Sequence, residues 1–348
     1  MNKINIYPTM STNNIQEILN NNTDCLIYFN SGNYNLGALF FNNVSIYFDN
    51  VYIKGSDNIE DYKLLETRIE GETCLYYSAL INISNCIDKT ISGNVTIDGN
   101  GLKVWQSFWD SFKKDHSHTN KATPRARLMY ISNSNKLKIN GLKLINSQFW
   151  TLHLYKCENI EISNCLFNSP HTPIKAPSSD GIDIDVGNNI WIHHNTFDTN
   201  DDGVALKGGK GLNAYLDNNN GKVSNILIEN NHYIFAHSVL TLGSEAIDCE
   251  DIIVRNNKVD FVNNLLWLKC RPDTSQIYKN IDVYNNAGKT IFYINIRPWT
   301  QFNTNDGLIP LTYITNINMH DNNITSNTFN GIVEDNNQYI LKDINIRR

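Results

Sequence analysis

Apolar and polar positions alternate in short runs that recur along most of the chain. The repeated unit is Asn or Asp, an apolar residue, a variable residue, a second apolar residue, a variable residue and then a further polar turn residue, usually Asn. Clear copies begin at Asn135, Asn159, Asn189, Asn225, Asp251, Asn280 and Asn316. An apolar residue at every second position is typical of a half-buried β-strand, and Asn tolerates the left-handed backbone of tight turns. The pattern therefore predicts a parallel β-helix of roughly ten coils, with asparagine amides bonded from coil to coil.

Two other repeat architectures fit the pattern less well. A leucine-rich horseshoe would show the spacing Leu-x-x-Leu-x-Leu, which does not occur in this chain. A β-propeller would show a four-strand period for each blade, and none is present. We therefore expect an all-β, single-stranded solenoid.

The N-terminal segment predicts a short helix. Residues 12–20 read TNNIQEILN, with apolar residues on one face and Thr12 or Asn13 available as the N-cap. A helix at this point would cover the exposed strand edges of the first coil. Because no linker or shift in composition follows, we expect one domain over residues 1–348, in which residues 1–30 form the N-terminal cap and first coil.

Composition narrows the classes of partner. The chain has 348 residues, 41% of them hydrophobic, and a formal net charge of −6, and it contains no basic run. We therefore expect neither a nucleic-acid surface nor a membrane span, and the oligomeric state stays open. The seven cysteines include no Cys-x-x-Cys pair, which favours buried free thiols over disulfides or zinc. Together with the lack of a signal peptide, this predicts a cytoplasmic protein, or a secreted one where a signal has been removed.

Charged and aromatic residues concentrate on one face of four successive predicted strands. Residues 180–184 superimpose on 202–206, and residues 236–245 and 264–269 continue the same alternation. Neighbouring strands lie about 4.8 Å apart, so this register places Asp180 beside Asp202 and Asp201 beside His237. One outward column is Asp185, Lys207, Gly243 and Lys269, and the next is Asp183, Ala205, Thr241 and Trp267. Acids alone would be ordinary turn residues, but the four-strand cluster is typical of a functional cleft.

Taken in order, these segments resemble glycoside hydrolase family 28, the polygalacturonases and their relatives. Segments similar to the family's motifs lie at residues 97–101, 124–130, 147–153, 179–183, 201–202, 236–238 and 267–269. The resemblance covers nearly the whole chain. It implies a right-handed parallel β-helix of the pectin-lyase-like type and inverting hydrolysis of pectin-type glycosidic bonds. Its partner would be an oligo- or polysaccharide, and it implies no cofactor and no metal.

The resemblance also implies roles for four residues. Asp201 would be the general acid, Asp180 and Asp202 would hold and deprotonate the attacking water, and His237 would orient Asp201 or share its proton. Inverting glycosidases keep their carboxylates about 6.5–9.5 Å apart, and we expect Asp201 to project from the opposite side of the strand start from Asp180 and Asp202. We also expect the neighbouring acids to raise the pKa of Asp201 and keep it protonated.

The substrate-binding candidates lie around these acids. They are Trp150, His153, Asp183, Lys207, Trp267, Lys269 and Arg271. Trp267 stands where the family has an Arg that holds a galacturonate carboxylate. Either Arg271 or Arg297 would replace that charge, or Trp267 would stack on a neutral or deoxy sugar. We expect residues 105–123 and 208–222 to form the walls of the cleft.

Two alternatives remain open from the sequence. A pectate-lyase-like eliminase would need calcium held by the acids and an arginine base. A non-catalytic glycan-binding β-helix, such as a tailspike or adhesin module, would need no hydrolytic arrangement of Asp180, Asp201, Asp202 and His237. The neighbouring pair His193 and His194 lacks a third ligand in register, so we expect no metal there.

Overall fold

The computed structural model describes residues 2–300, 311–333 and 338–347, and β-strands dominate them. The strands are β1 Lys3–Ile6, β2 Leu26–Phe29, β3 Gly32–Leu36, β4 Leu39–Asn42, β5 Ser45–Gly55, β6 Leu64–Ile69, β7 Glu72–Tyr77, β8 Ile81–Ser84, β9 Ile87–Asp98, β10 Met129–Ser132, β11 Asn135–Ile145, β12 Leu152–Ser163, β13 Leu166–Asn168, β14 Ile182–His193, β15 Thr196–Asp198, β16 Val204–Lys207, β17 Val223–Glu229, β18 His232–Leu242, β19 Asp248–Arg255, β20 Lys258–Cys270, β21 Gln276–Tyr284, β22 Ala287–Pro298, β23 Thr312–His320, β24 Asn323–Ile332 and β25 Tyr339–Ile346. The helices are α1 Thr12–Asn20 and α2 Leu102–Lys114, with 3₁₀ turns at Ile59–Asp61 and Ala214–Leu216.

The strands stack in parallel columns, each strand pairing with its equivalent one coil away. The column that carries the predicted cleft runs through β4, β8, β10, the first halves of β12 and β14, β16, and the second halves of β18, β20, β22 and β24. We call it the site column. Its ten strands agree with the predicted number of coils. The parallel β-helix that the repeat predicts is therefore confirmed.

Asparagines make the turns between columns, as the repeat predicts. Asn159, Asn189, Asn225, Asn280 and Asn316 all have φ between 54° and 56°. This is the left-handed region, which Asn adopts at lower cost than most residues. In the first copy the left-handed residue is Lys136, not Asn135, so there the turn lies one residue later.

The core combines an apolar ladder with a polar one. Equivalent isoleucines stack in register and are at most 2% exposed at Ile160, Ile190, Ile226, Ile252, Ile281 and Ile317. At the neighbouring turn, Asn195, Asn231, Asn257, Asn286 and Asn322 form a buried ladder. Each side-chain oxygen accepts the backbone N–H of the preceding ladder residue at 2.9–3.0 Å. The predicted amide bonding between coils is confirmed.

Helix α1 spans Thr12–Asn20, the range that the sequence predicts, and packs on the first coil through Ile15 and Leu19. The N-cap is Ser11, so the prediction of Thr12 or Asn13 is wrong. Ser11 has an extended backbone, and its Oγ accepts the N–H of Asn14 at 3.2 Å. An extended N-cap residue with such a bond is the ordinary start of a helix.

Two elements that the repeat did not predict cover the site column. Helix α2 forms much of the predicted wall segment 105–123, and β6 and β7 form an antiparallel hairpin. Arg68 of this hairpin bonds the carboxylate of Asp185 at 2.8 and 3.1 Å, and both side chains are fully buried. Arg127 bonds the carbonyl of Arg68 and so ties the hairpin to the stack. The hairpin therefore closes over outward residues that the repeat alone would leave exposed.

The cysteines are unpaired, and all are buried except Cys74, which is half-buried. This agrees with the predicted free thiols. Neither α1, α2 nor any other helix in the described residues has the length and apolar character needed to cross a bilayer.

Candidate active site

The register of the site column brings the predicted acids together. Ile182 pairs with Val204, and Val204 pairs with Leu240, so Asp180 lies beside Asp202 and Asp201 beside His237. One carboxylate oxygen from each of Asp180, Asp201 and Asp202 lies within 4.8 Å of the other two. The convergence of three carboxylates is as the register predicts.

The spacing of these carboxylates differs from the expectation. Their nearest oxygens lie within 4.8 Å of one another, which is closer than the separation of 6.5–9.5 Å between carboxyl groups that we expected. The reason is local, since Oδ1 of Asp201 accepts the backbone N–H of Asp202 at 3.0 Å. This bond holds the Asp201 carboxylate against the backbone of Asp202, just before β16 begins. At this spacing one water molecule can contact two carboxylates.

Asp202 is held from both sides. Its Oδ2 accepts from Nζ of Lys269 at 3.0 Å, and its Oδ1 accepts from Oγ of Ser238 at 2.9 Å. The ammonium of Lys269 lies 4.2 Å from the ring centre of Trp267 and 4.7 Å from that of Trp299. Both oxygens of this nearly buried carboxylate therefore have fixed partners, which orients it toward the other acids.

Asp201 and His237 form an ion pair, with 3.2 Å between Oδ1 and Nδ1. Burial alone would lower the pKa of His237, but the charge and hydrogen bond of Asp201 outweigh it and raise that pKa. Burial would raise the pKa of Asp201, yet His237 and then Lys269 outweigh it and lower that pKa. This direction is opposite to our expectation that neighbouring acids raise the pKa of Asp201, because His237 and Lys269 outweigh them.

The pKa values of Asp180 and Asp183 shift in the opposite direction. Burial, reinforced by the charges of Asp201 and Asp183, raises the pKa of Asp180 well above its ordinary value. Burial also raises the pKa of Asp183 to about 8. The ammonium of Lys207 lies 3.8 Å from Asp180 and 3.7 Å from Asp183, and bonds Glu245 at 3.2 Å. Lys207 thus balances part of the acidic charge.

The acids line a cavity of about 350 Å³. Phe108, Trp109 and Phe112 of α2 form one wall, and Trp150, Trp267 and Trp299 are further aromatic lining residues. Pockets of this size, with apolar walls and a few converging polar groups, are typical of small-molecule or oligosaccharide sites. Asp180, Asp201 and Asp202 offer oxygens that a cation could use, but Lys207 and Lys269 already supply positive charge beside them.

A family comparison matches residues 48–344 to Glycosyl hydrolases family 28. This chain belongs to that family. Its similarity to polygalacturonase-2 of Solanum lycopersicum is 26% identity over 241 residues, covering 69% of this chain and 46% of that protein. A polygalacturonase of Cryptomeria japonica is 28% identical over 211 residues, covering 57% of this chain and 37% of that protein. The aligned part therefore spans less than half the length of these two curated relatives.

A solved structure supports the fold. The polygalacturonase from Erwinia carotovora ssp. carotovora aligns with all of this chain and 96% of that chain, with a TM-score of 0.75 and 19% identity. The fold of this chain is the right-handed parallel β-helix that the resemblance to glycoside hydrolase family 28 implied.

Three candidates for substrate contact do not line the cavity of this family 28 protein. His153 is fully buried, with Nδ1 2.9 Å from Arg127, and burial lowers its pKa to about 4. Asp183 is also fully buried. Arg271 is buried, bonds Asp273 in bidentate fashion and lines a neighbouring cavity. The structure does not bring these three side chains to the cavity wall, because the surrounding loops and the β6–β7 hairpin cover positions that the strand pattern places outward.

The other candidates do line the cavity, namely Trp150, Lys207, Trp267 and Lys269. Arg297 lies beside Lys269 in register and donates to Asn295 at 2.6 Å. Of the two predicted walls, residues 105–123 contribute α2 and His118, whereas residues 208–222 line the neighbouring cavity. The two cavities share Glu70 and Glu245, so the second predicted wall lies beside the acids' cavity and does not line it.

Sequence reasoning missed Glu70, Glu245 and Trp299, which also line the cavity. Glu245 follows the third strand of the cluster by three residues, and Trp299 follows the strand after Trp267, so extending each strand beyond its last apolar residue would have found both. Glu70 lies in the β6–β7 turn. No repeat signal points to Glu70, because the hairpin lies outside the coil pattern.

Proposed function

We propose that this protein hydrolyses glycosidic bonds of pectin-type saccharides. The observation that carries the proposal is the convergence of Asp180, Asp201 and Asp202 in one aromatic-lined cavity. Membership of family 28 supports it. Several relatives are named polygalacturonases, and a solved endopolygalacturonase from Stereum purpureum carries two galacturonates, so a galacturonide-containing chain is the proposed partner.

Asp201 and His237 deliver the proton to the departing oxygen. Nδ1 of His237 lies 3.2 Å from Oδ1 of Asp201, and the charge of Asp201 raises the pKa of His237, so the pair can hold and pass one proton. When a sugar fills the cavity and water leaves, charge separation between the two groups becomes more costly, which favours transfer of the proton to Asp201. Asp201 then acts as the general acid at the glycosidic oxygen.

Asp180 and Asp202 hold the attacking water. Lys269 and Ser238 fix both oxygens of Asp202, so this carboxylate is oriented to accept a proton from the water. Asp180 adds a second contact from the adjacent strand. We propose inversion at the anomeric carbon, and because the oxygen spacing is short, NMR of the first product anomer is the measurement that decides it.

The first experiment measures reducing-end release from polygalacturonate and from rhamnogalacturonan fragments. We expect Asp201→Asn to lower the rate by roughly 10²–10⁴-fold, the usual contribution of general acid catalysis. The matched control is Asp282→Asn, because Asp282 pairs with His320 at the exterior, and this change should leave the rate unaltered. Equal rates for parent and Asp201→Asn would contradict the proposal.

The eliminase alternative draws support from the three acids that could hold calcium. It lacks its base, since no arginine lines this cavity among the described residues. An eliminase would form an unsaturated product that absorbs in the ultraviolet, and EDTA would stop it. Binding without turnover would instead favour a glycan-binding module.

A further inference from the structure

The two buried lysines of the cavity are already engaged by protein carboxylates. Lys269 bonds Asp202 at 3.0 Å, and Lys207 bonds Glu245 at 3.2 Å. Both side chains are less than 10% exposed. Directing either ammonium toward a substrate carboxylate would leave a buried protein carboxylate without its partner, which is costly.

The lining also places carboxylates at the centre of the cavity. Five acids, namely Glu70, Asp180, Asp201, Asp202 and Glu245, face Lys175, Lys207, Lys269 and His237. Lys175 is exposed to solvent at the rim. An ionised sugar beside Asp201 and Asp202 meets carboxylates whose cationic partners, His237 and Lys269, are already engaged, whereas an uncharged sugar meets no like charge.

Two tryptophans from neighbouring coils meet beyond the acids. Trp267 lies on β20 and Trp299 follows β22; both are half-buried, their ring centres are 5.4 Å apart, and their planes are nearly perpendicular at 81°. They flank Lys269, so its charge lies behind indole faces. Indole faces offer large apolar area with little conformational entropy to lose, and they suit the C–H face of a sugar ring better than a carboxylate.

We propose that the subsite at Trp267 and Trp299 takes an uncharged sugar residue. The chemistry fits two sources, a methyl-esterified galacturonate residue or a rhamnose residue. The protein therefore favours esterified galacturonan or rhamnogalacturonan over ionised polygalacturonate. This inference rests on the proposed hydrolase function and adds the charge state of its substrate.

The test compares kcat/KM on ionised polygalacturonate, highly methyl-esterified galacturonan and rhamnogalacturonan fragments. We expect the parent to favour one of the two uncharged-subsite substrates by about ten-fold or more, and the favoured one identifies the source. Trp267→Arg introduces a cation and should shift the ratio toward polygalacturonate by about ten-fold or more. Trp267→Phe keeps an aromatic face and should retain the parent's preference.

The matched control is Trp191→Arg. Trp191 is 40% exposed on another face of the stack, so the same change there should leave the substrate ratio unaltered. A parent that favours polygalacturonate, or a ratio that Trp267→Arg does not move, overturns the inference.

Binding measurements test this inference independently of the proposed hydrolase function. If no substrate is cleaved, hydrolysis is refuted, and calorimetric titration with esterified and de-esterified oligogalacturonates and with rhamnogalacturonan oligosaccharides still tests the subsite. Tighter binding of an uncharged-subsite ligand, weakened by Trp267→Arg, would support the inference. Equal or tighter binding of the ionised oligosaccharide would refute it.

Discussion

Among single residues, Asp183 is buried in an unusual way. It is fully buried, and neither carboxylate oxygen has a hydrogen-bond partner among the described residues. Burial raises its pKa to about 8, so the folded protein keeps a proton there that the unfolded chain releases near pH 4. Lys207, 3.7 Å away, offsets only part of this cost.

Asp183→Asn should stabilise the protein increasingly as pH rises. A raised folded-state pKa means that the parent is favoured below about pH 4 and loses stability as pH rises to about 8. Asn does not titrate, so the difference in unfolding free energy should grow by on the order of 2–5 kcal/mol across that range. Urea unfolding at pH 4, 6 and 8 measures it, and a difference independent of pH would refute the assignment.

His237 should set the basic limit of activity. Its pKa is raised above 6.5 because Asp201, despite burial, stabilises the imidazolium. Activity needs the shared proton, so kcat/KM should fall as pH rises through a value above 6.5. His237→Gln should lower activity and abolish this fall of kcat/KM at high pH. A fall in kcat/KM centred at or below pH 6.5, or a fall that persists in the His237→Gln variant, would contradict the role of His237.

Among the structural elements, the asparagine ladder joins turns that are far apart in sequence. Asn257 accepts from the N–H and the amide of Asn231 and donates to Asn286 and to the carbonyl of Ile228. All these groups are buried, so each lost partner leaves an unsatisfied polar group. The ladder therefore sets the register between coils as well as their stability.

Asn257→Ala should lower the unfolding free energy by on the order of 2–5 kcal/mol, because several buried polar groups lose their partners together. Asn188→Ala is the matched control, since Asn188 also bonds the next coil but lies near the surface, where water can replace it. That change should cost under about 1 kcal/mol. Urea denaturation compares the two variants, and equal costs would show that burial of the ladder is unimportant.

The β6–β7 hairpin differs from the asparagine ladder, because its contacts join elements that are not equivalent positions of the repeat. Arg68 reaches Asp185 across 117 positions of sequence. This ion pair covers Asp185 on β14, whose carboxylate also lies 3.6 Å from Nε2 of His153 on the neighbouring strand β12. A strand pattern reports which residues point outward, and it cannot report that another element will bury them.

Across the whole molecule, stability should pass through a maximum in mild acid. Burial alone would raise the pKa values of Asp185, Asp201 and Glu245. Their cationic partners outweigh burial, so these pKa values are lowered. Their contribution is present above about pH 4 and is lost as pH falls further. Asp180 and Asp183 have raised pKa values, so their contribution is instead lost as pH rises.

The midpoint of urea unfolding should therefore rise as pH falls from 8 to about 5 and decline again below about pH 4. A titration from pH 3 to pH 9 at constant ionic strength measures it. The Asp183→Asn variant should show a smaller rise over the first interval, which identifies one contributor. A midpoint that falls steadily from pH 8 to pH 3 would contradict the balance of charges described for the site.

Sequence alone determined the coil, its approximate number of repeats and the register of four strands at the site. The physical reason is that alternation, left-handed turns at Asn and in-register stacking are local or repeat over one coil. It thereby placed Asp180 beside Asp202 and Asp201 beside His237.

Only the tertiary structure decided which elements cover the outward-facing strand residues and how the pKa values of the site residues shift. The burial of His153, Asp183 and Arg271 depends on loops and a hairpin that pack across the coil. The short carboxylate spacing depends on the bond from the Asp202 N–H to Asp201. The pKa values depend on burial combined with charges from four strands, and these sums exist only once the chain has folded.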